Sequence, residues 1–283
     1  MRRNVTALAA VIAVLLTTAG STAVGRTLRE GRDGPGGVMA IDPPPVLLRV
    51  SDAPAPRVAP PAPAPTRAAP ARTRTVCPTL PNVSARPAAL AKSVVARVKV
   101  FDRPGGKVLR VLNSPTVEGA TLNTLVKERR GMWLRVQLPV RPNHAEGWVS
   151  VTDMTQYEVA YRVVVQRCAK RITVFKNGVQ VWQRPAAVGK PSTPTPLGSF
   201  YVDFVAPMRY GGAYGPYLVS VAGFSNVLQQ FGKNGIGQIA IHGTNKPSSV
   251  GKAASNGCVR LYNSDLVDLV SFLPEGAPVL IVD

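Results

Sequence analysis

Thirteen prolines fall between Pro43 and Pro87, in runs such as APAPRVAPPAPAPTRAAPAR, and they limit where this chain can fold. Proline has no amide hydrogen to donate and a fixed φ, so neither helix nor central strand accommodates such a run. The alanines between the prolines carry too little apolar side chain to offset the entropy of ordering the backbone. Residues 25–88 therefore read as a Pro/Ala-rich disordered linker, extended and dotted with arginine. Any core must come from the remainder, where Val, Ile, Leu and Tyr dominate. The 283 residues leave room there for two small domains.

Ahead of the linker, MRRNVTALAAVIAVLLTTAGSTAVG places Arg2 and Arg3 before an uncharged stretch from Val5 to Val24. A short apolar segment with small residues such as Ala19, Ser21 and Ala23 at its end is the pattern of a secretory signal, and its length also suffices to span a bilayer. Residues 1–24 are expected to be a signal peptide or a membrane anchor. On either reading the rest is extracytoplasmic, in the cell envelope, tethered to the inner membrane or secreted into the wall. The formal charge of +19 asks for an acidic partner: nucleic acid, anionic lipid or an anionic cell-wall polymer. The positive charge is spread over linker, middle and C-terminal region rather than gathered in one run, which argues against nucleic acid. Export also bears on Cys77, Cys168 and Cys258, because three cysteines leave at least one without an intramolecular partner. A disulfide between Cys77 and Cys168 would leave Cys258 free; two separate buried thiols are the alternative.

The fold class expected is mainly β. From 89 to 157, SVVARVKVF, KVLRVL, ATLNTLV, MWLRVQLPV and WVSV are strand-like units parted by turns such as RPGG and RPNHAEG. Short strands with polar turns and no helix suggest a small β-barrel. The order VFDRPGGKVL, GMWLRVQL, EGWVS resembles a bacterial Src-homology-3-like domain, which implies a wall-binding or spacer role, with Trp133 and Trp148 as binding residues or as barrel core. His144 reads as a solvated turn residue. From 158 to 283 come further strands, with Asn177-Gly178 marking a hairpin. One helix is expected at NSDLVDLVSFL, capped by Asn263 or Ser264 and stopped by Pro274, and a short one at Ser225 to Phe231.

The chemistry concentrates in IHGTNKPSSVGKAASNGCVRL, from Ile241 to Leu261. A thiol attacks an acyl carbon as thiolate, so Cys258 needs a proton acceptor, and a histidine suits that task. His242 ends the apolar strand GQIAI, and Cys258 begins the strand-like CVRLY. If those strands are neighbours, imidazole and sulfur can meet. The backbone N–H groups of Gly257 and Cys258 are the natural donors to a developing oxyanion, and Arg260, two residues on, shares a strand face with Cys258 and could hold a carboxylate. Tyr214 and Tyr217, with Tyr210, are candidates to line the pocket. A zinc site lacks ligands at metal spacing, and the His-before-Cys order disfavours a papain-like protease. Taken alone, the pair remains compatible with a buried structural thiol.

The ordered set TPTPLGSFYV, IAIHGTN, SNGCVRL resembles the catalytic domain of L,D-transpeptidases of the YkuD type, over roughly 160–283. The resemblance implies that Cys258 is the acylated nucleophile, His242 its base and the Gly243 carbonyl the group that orients the imidazole. Ser255, Gly257 and Arg260 match the family motif. Asn256 departs from it, standing where the family carries histidine. The implied reaction is attack on the tetrapeptide stem of peptidoglycan with release of D-Ala, then 3→3 cross-linking to a neighbouring stem. Water as acceptor would make the chain an L,D-carboxypeptidase, and loss of turnover a wall-binding protein. Stem peptides and cell-wall polymers are the implied partners, carbapenems are implied to acylate Cys258, and no metal or organic cofactor is expected.

Overall fold

Seven antiparallel strands come first among the described residues. A computed structural model describes residues 76–208, 212–231 and 236–283; the expected signal or anchor, residues 25–75 of the expected linker, and Tyr210 lie outside the described residues. The strands are β1 (Ala88–Ser93), β2 (Arg97–Phe101), β3 (Val108–Asn113), β4 (Asn123–Arg130), β5 (Trp133–Gln137), β6 (Glu146–Ser150) and β7 (Met154–Val159). They form one sheet in the order β3-β2-β6-β5-β4-β1-β7, and its ends share no ladder among the described residues. Yet Ala91, Val98, Val100, Leu134, Val136 and Val149, from β1, β2, β5 and β6, bury against one another in a single cluster. One face of one sheet can do this only if the sheet curls on itself, as a half-barrel. Trp148 is buried with the Arg130 guanidinium 5.1 Å over its ring, and Trp133 meets Phe101 edge-on at 5.0 Å.

The second part comprises β8 (Tyr161–Gln166), β9 (Arg171–Lys176), β10 (Val179–Pro185), β11 (Val188–Gly189), β12 (Gly198–Pro207), β13 (Tyr217–Phe224), β14 (Gln238–His242), β15 (Ala253–Ser255), β16 (Val259–Arg260), α1 (Asn263–Phe272) and β17 (Pro278–Val282). Eight strands make a mixed sheet, β10-β9-β8-β17-β12-β13-β14-β16, and β11 pairs with β15 in parallel. Asn177 (φ 50) and Gly178 (φ 78) turn β9 into β10, the double positive φ that Asn-Gly supplies at a two-residue hairpin. Helix α1 buries Leu266 and Leu269 in the core.

Two local expectations need correction. Neither Asn263 nor Ser264 caps α1: Tyr262 occupies the cap position without a side-chain hydrogen bond, and the Asn263 amide is spent elsewhere. Ser225 to Phe231 contains no helix. The Ser225 hydroxyl accepts from the amides of Val227 and Leu228, a local turn that competes with helix. From the first sheet, Arg141 donates to the carbonyls of Ser225 (2.9 Å) and Leu228 (3.0 Å). Asn143 exchanges hydrogen bonds with both backbone groups of Phe224. Carbonyls engaged from outside are not free for an i→i+4 ladder.

The two sheets share a core. Strand β1 buries both faces: Ala91 joins the cluster of its own sheet, while Ala88 and Leu90 join the larger cluster of the second sheet, as do Leu125 and Val159. The fully buried Tyr201 donates its hydroxyl to the Asn123 carbonyl at 2.9 Å, and the Gln137 amide donates to the Ser199 carbonyl at 3.0 Å. His144 is exposed, but it is no free turn residue: its ring stacks on Phe200 at 5.0 Å. A spacer hung on a flexible joint would share no such core; these sheets belong to one compact unit. Cys77 and Cys168 are bonded, closing a loop of 91 residues that contains the whole first sheet, and Cys258 is free.

Candidate active site

Register places the reactive groups. Strand β16 pairs in parallel with β14, Val259 against Ile241 and Arg260 against His242, so one residue earlier Cys258 comes level with Ala240. Ile239, Ile241, Val259 and Leu261 are almost wholly buried in the core. Side chains alternate along a strand, so Ala240, His242, Cys258 and Arg260 share the opposite face. That face opens on a cleft of about 190 Å³ whose lining includes Cys258, Ala240, Tyr214 and Phe231.

His242 is 4% exposed, with Nδ1 2.6 Å from the Gly243 carbonyl oxygen. A carbonyl only accepts, so Nδ1 carries the hydrogen and Nε2 is left with its lone pair. A base is oriented here without a carboxylate. Burial pushes the His242 imidazole down to about 4, with the Gly243 hydrogen bond opposing and the Arg260 charge reinforcing the shift. Cys258 keeps a partly exposed surface, yet the protein packed around its sulfur desolvates the thiolate and pushes it up to about 11, against a backbone hydrogen bond at Ala240 and the charge of Arg260. At neutral pH the pair rests as thiol and neutral imidazole. The Tyr214 ring lies 4.7 Å from the His242 ring and covers it.

The bend behind His242 depends on close approach of backbones. A Cβ on Gly243 would fall 2.2 Å from Asn263 Oδ1 and 2.9 Å from the Gly215 Cα. Asn263 Oδ1 meanwhile accepts from the Thr244 amide at 2.9 Å, and the Gly243 amide donates to the Tyr214 carbonyl at 2.8 Å. Asn263 thus bolts the turn that aims the imidazole. Sequence reasoning gave it to the helix cap; its proximity to Gly243 is a product of the fold and has no local signal.

Around Cys258, Ser255 is fully buried. Its hydroxyl donates to the Cys258 carbonyl at 2.5 Å and accepts from the Gly257 amide at 3.0 Å, while its own carbonyl accepts from the Lys190 amide at 2.9 Å. This corrects one expectation: the Gly257 N–H is already engaged, which leaves the Cys258 N–H as the remaining one of the two candidate oxyanion donors. Glycine is required at 257 for its φ of +127°; a Cβ there would meet nothing closer than 3.7 Å. Asn256 is exposed, and no side-chain hydrogen bond engages it among the described residues. Arg260 is bridged through its backbone to Ala187, and its Nε is buried without a partner among the described residues. Tyr217 does not join the others: it packs on the main core, and the cleft is lined by the adjacent Leu218 instead. No group of three or more His, Cys, Asp or Glu residues able to hold a metal occurs among the described residues.

Residues 160–281 match the family described as the L,D-transpeptidase catalytic domain, YkuD. Over 125 residues the chain is 38% identical to a Bacillus subtilis protein named as an L,D-transpeptidase, YkuD, covering 44% of this chain and 68% of that one. Among solved structures, an L,D-transpeptidase from Mycobacterium tuberculosis is similar at 17% identity and a TM-score of 0.37, over 51% of this chain and 75% of that one. A mutant L,D-transpeptidase from Enterococcus faecium is similar at 21% identity and a TM-score of 0.34, over 43% of this chain. The match spans about half, 49%, of the Enterococcus chain.

Proposed function

This chain belongs to the YkuD-type L,D-transpeptidase family, and from that premise we propose that it is an extracytoplasmic acyltransferase acting on peptidoglycan stem peptides through a thioester on Cys258. The Cys258 sulfur attacks the carbonyl between the third residue and the terminal D-Ala of a tetrapeptide stem. As the S–C bond forms, the thiol proton passes to His242 Nε2. The tetrahedral oxyanion is met by the Cys258 N–H. His242 then returns the proton to the departing nitrogen, the C–N bond breaks, and D-Ala leaves. A side-chain amine of a neighbouring stem attacks the thioester, its proton passes through His242 to the sulfur, and a 3→3 cross-link results. Arg260 favours a developing negative charge on sulfur.

The observation that carries this reading is the shared strand face of His242 and Cys258, with Nε2 freed by the Gly243 carbonyl. Because both groups rest neutral, proton transfer and attack are coupled, as in a general-base mechanism, and no ion pair stands ready beforehand. The +19 charge supports residence among anionic wall polymers, and the apolar segment at residues 5–24 supports export, cleaved or anchored. Intact-protein mass spectrometry after incubation with a carbapenem tests the nucleophile. One adduct is expected on wild type and none on Cys258→Ala; an equal adduct on both would remove Cys258 from the role.

A further inference from the structure

The segment between β3 and β4 belongs to the first sheet, yet its Glu118 lines the cleft that contains Cys258. The other walls are mostly apolar: Phe204, Met208, Leu218, Phe231 and Ile236. Glu118 is exposed and has no ion-pair partner among the described residues. In a chain carrying +19, an unpaired carboxylate on the wall of this cleft is a local reversal of sign. Behind it lies Asp203, 4% exposed, which accepts from Gln238 Nε2 at 3.0 Å; Gln238 itself lines the cleft. Burial pushes the Asp203 carboxyl up to about 6, against the Gln238 hydrogen bond, and the charges of Glu118 and Glu275 push it further. Asp203 itself does not line the cleft, so Glu118 is the one acid on its walls, with a second negative group close enough to be felt and no cation paired to Glu118 among the described residues.

We propose that Glu118 is a specificity residue that holds a primary ammonium, carried on an alkyl side chain of the donor stem peptide, in the cleft leading to Cys258. Apolar walls pack the methylenes of such a side chain while a carboxylate takes its head. The bound amine is the donor's and not the acceptor's, because an ammonium held by a carboxylate has no lone pair with which to attack. The first sheet also steadies the far wall: Arg141 ties down the carbonyls of Ser225 and Leu228 on the segment leading to Phe231. A sheet that resembled a spacer thus completes the substrate site.

The inference rests on Cys258 being the acylated nucleophile, so the test separates the two. Two donor tetrapeptides are compared, identical except that the third-residue amine is free or N-acetylated. The readout is the second-order rate of acyl-enzyme formation, seen as the D-Ala burst, which involves the donor alone. Wild type is expected to prefer the free amine by roughly tenfold, the equivalent of one charge-assisted contact. Glu118→Gln should bring that ratio to within about twofold of unity, mainly through weaker binding, and Glu118→Asp should keep part of it. An unchanged ratio in Glu118→Gln, with carbapenem still labelling Cys258, overturns the assignment of Glu118 alone. No D-Ala burst and no carbapenem adduct on wild type overturns both readings.

Discussion

Gly243→Ala should damage catalysis and stability together. The added Cβ lands 2.2 Å from Asn263 Oδ1 and 2.9 Å from the Gly215 Cα, so about 1 Å of movement is needed to restore ordinary contact. If Asn263 gives way, the Thr244 amide loses its acceptor at 2.9 Å, a loss of about 1–3 kcal/mol for a buried donor. Overpacking adds about 1–3 kcal/mol. The sum, about 2–6 kcal/mol, lowers Tm by roughly 5–20 °C for a unit of this size. The Gly243 carbonyl moves with the turn, and with it the tautomer and aim of His242. A 1 Å misplacement of a catalytic group costs about 10²-fold in rate. Thermal unfolding by circular dichroism and the rate of carbapenem acylation read the two effects separately. Asn263→Ala in the same chain removes the nearer clash, so the double variant should lose less than the sum of the singles. A Gly243→Ala protein with unaltered Tm and an acylation rate within about threefold of wild type would refute the argument that this close approach aims the base.

Other outcomes follow from the same coordinates. With His242 held near 4 and Cys258 near 11, acylation should be flat within about threefold from about pH 5 to 9 and fall only as His242 takes a proton below that window; a tenfold rise between about pH 6 and 8 would show a base that titrates there. Cys77→Ser opens a 91-residue loop and should cost about 2–5 kcal/mol in urea unfolding at equilibrium, as loop-closure entropy implies; an unchanged midpoint would mean the bridge constrains nothing that unfolds. Because Asn256 is exposed and its side chain unengaged, Asn256→His should leave the acylation rate within about threefold and its pH profile unmoved; a shifted profile would place that side chain in the proton path.

What was legible in the chain was local. Alternation announced the strands, Asn177-Gly178 announced its hairpin, and NSDLVDLVSFL before the Pro274 stop announced α1. The spacing of His242 and Cys258 allowed two neighbouring strands, and parity then placed both on one face. What escaped were the contacts made across long separations. Asn263 has the chemistry of a helix cap, but the Thr244 amide offered it a better use. The apolar residues of Ser225 to Phe231 suggest a helix only until Arg141 claims two of its carbonyls. Gly257 looked like an oxyanion donor because nothing in the sequence shows the Ser255 hydroxyl folding back on its amide. Glu118 carries no local signal, since it reaches the cleft only because the first sheet shares its core with the second.

Purified tetrapeptide stems offered to the enzyme, with products separated by mass, bear most directly on the central claim. Wild type is expected to yield cross-linked dimers with one D-Ala released per link, through a transient species heavier by one acyl tripeptide at Cys258, and Cys258→Ala to yield none. Dimers formed at equal rate by Cys258→Ala, or no D-Ala release by a folded wild type, would contradict it.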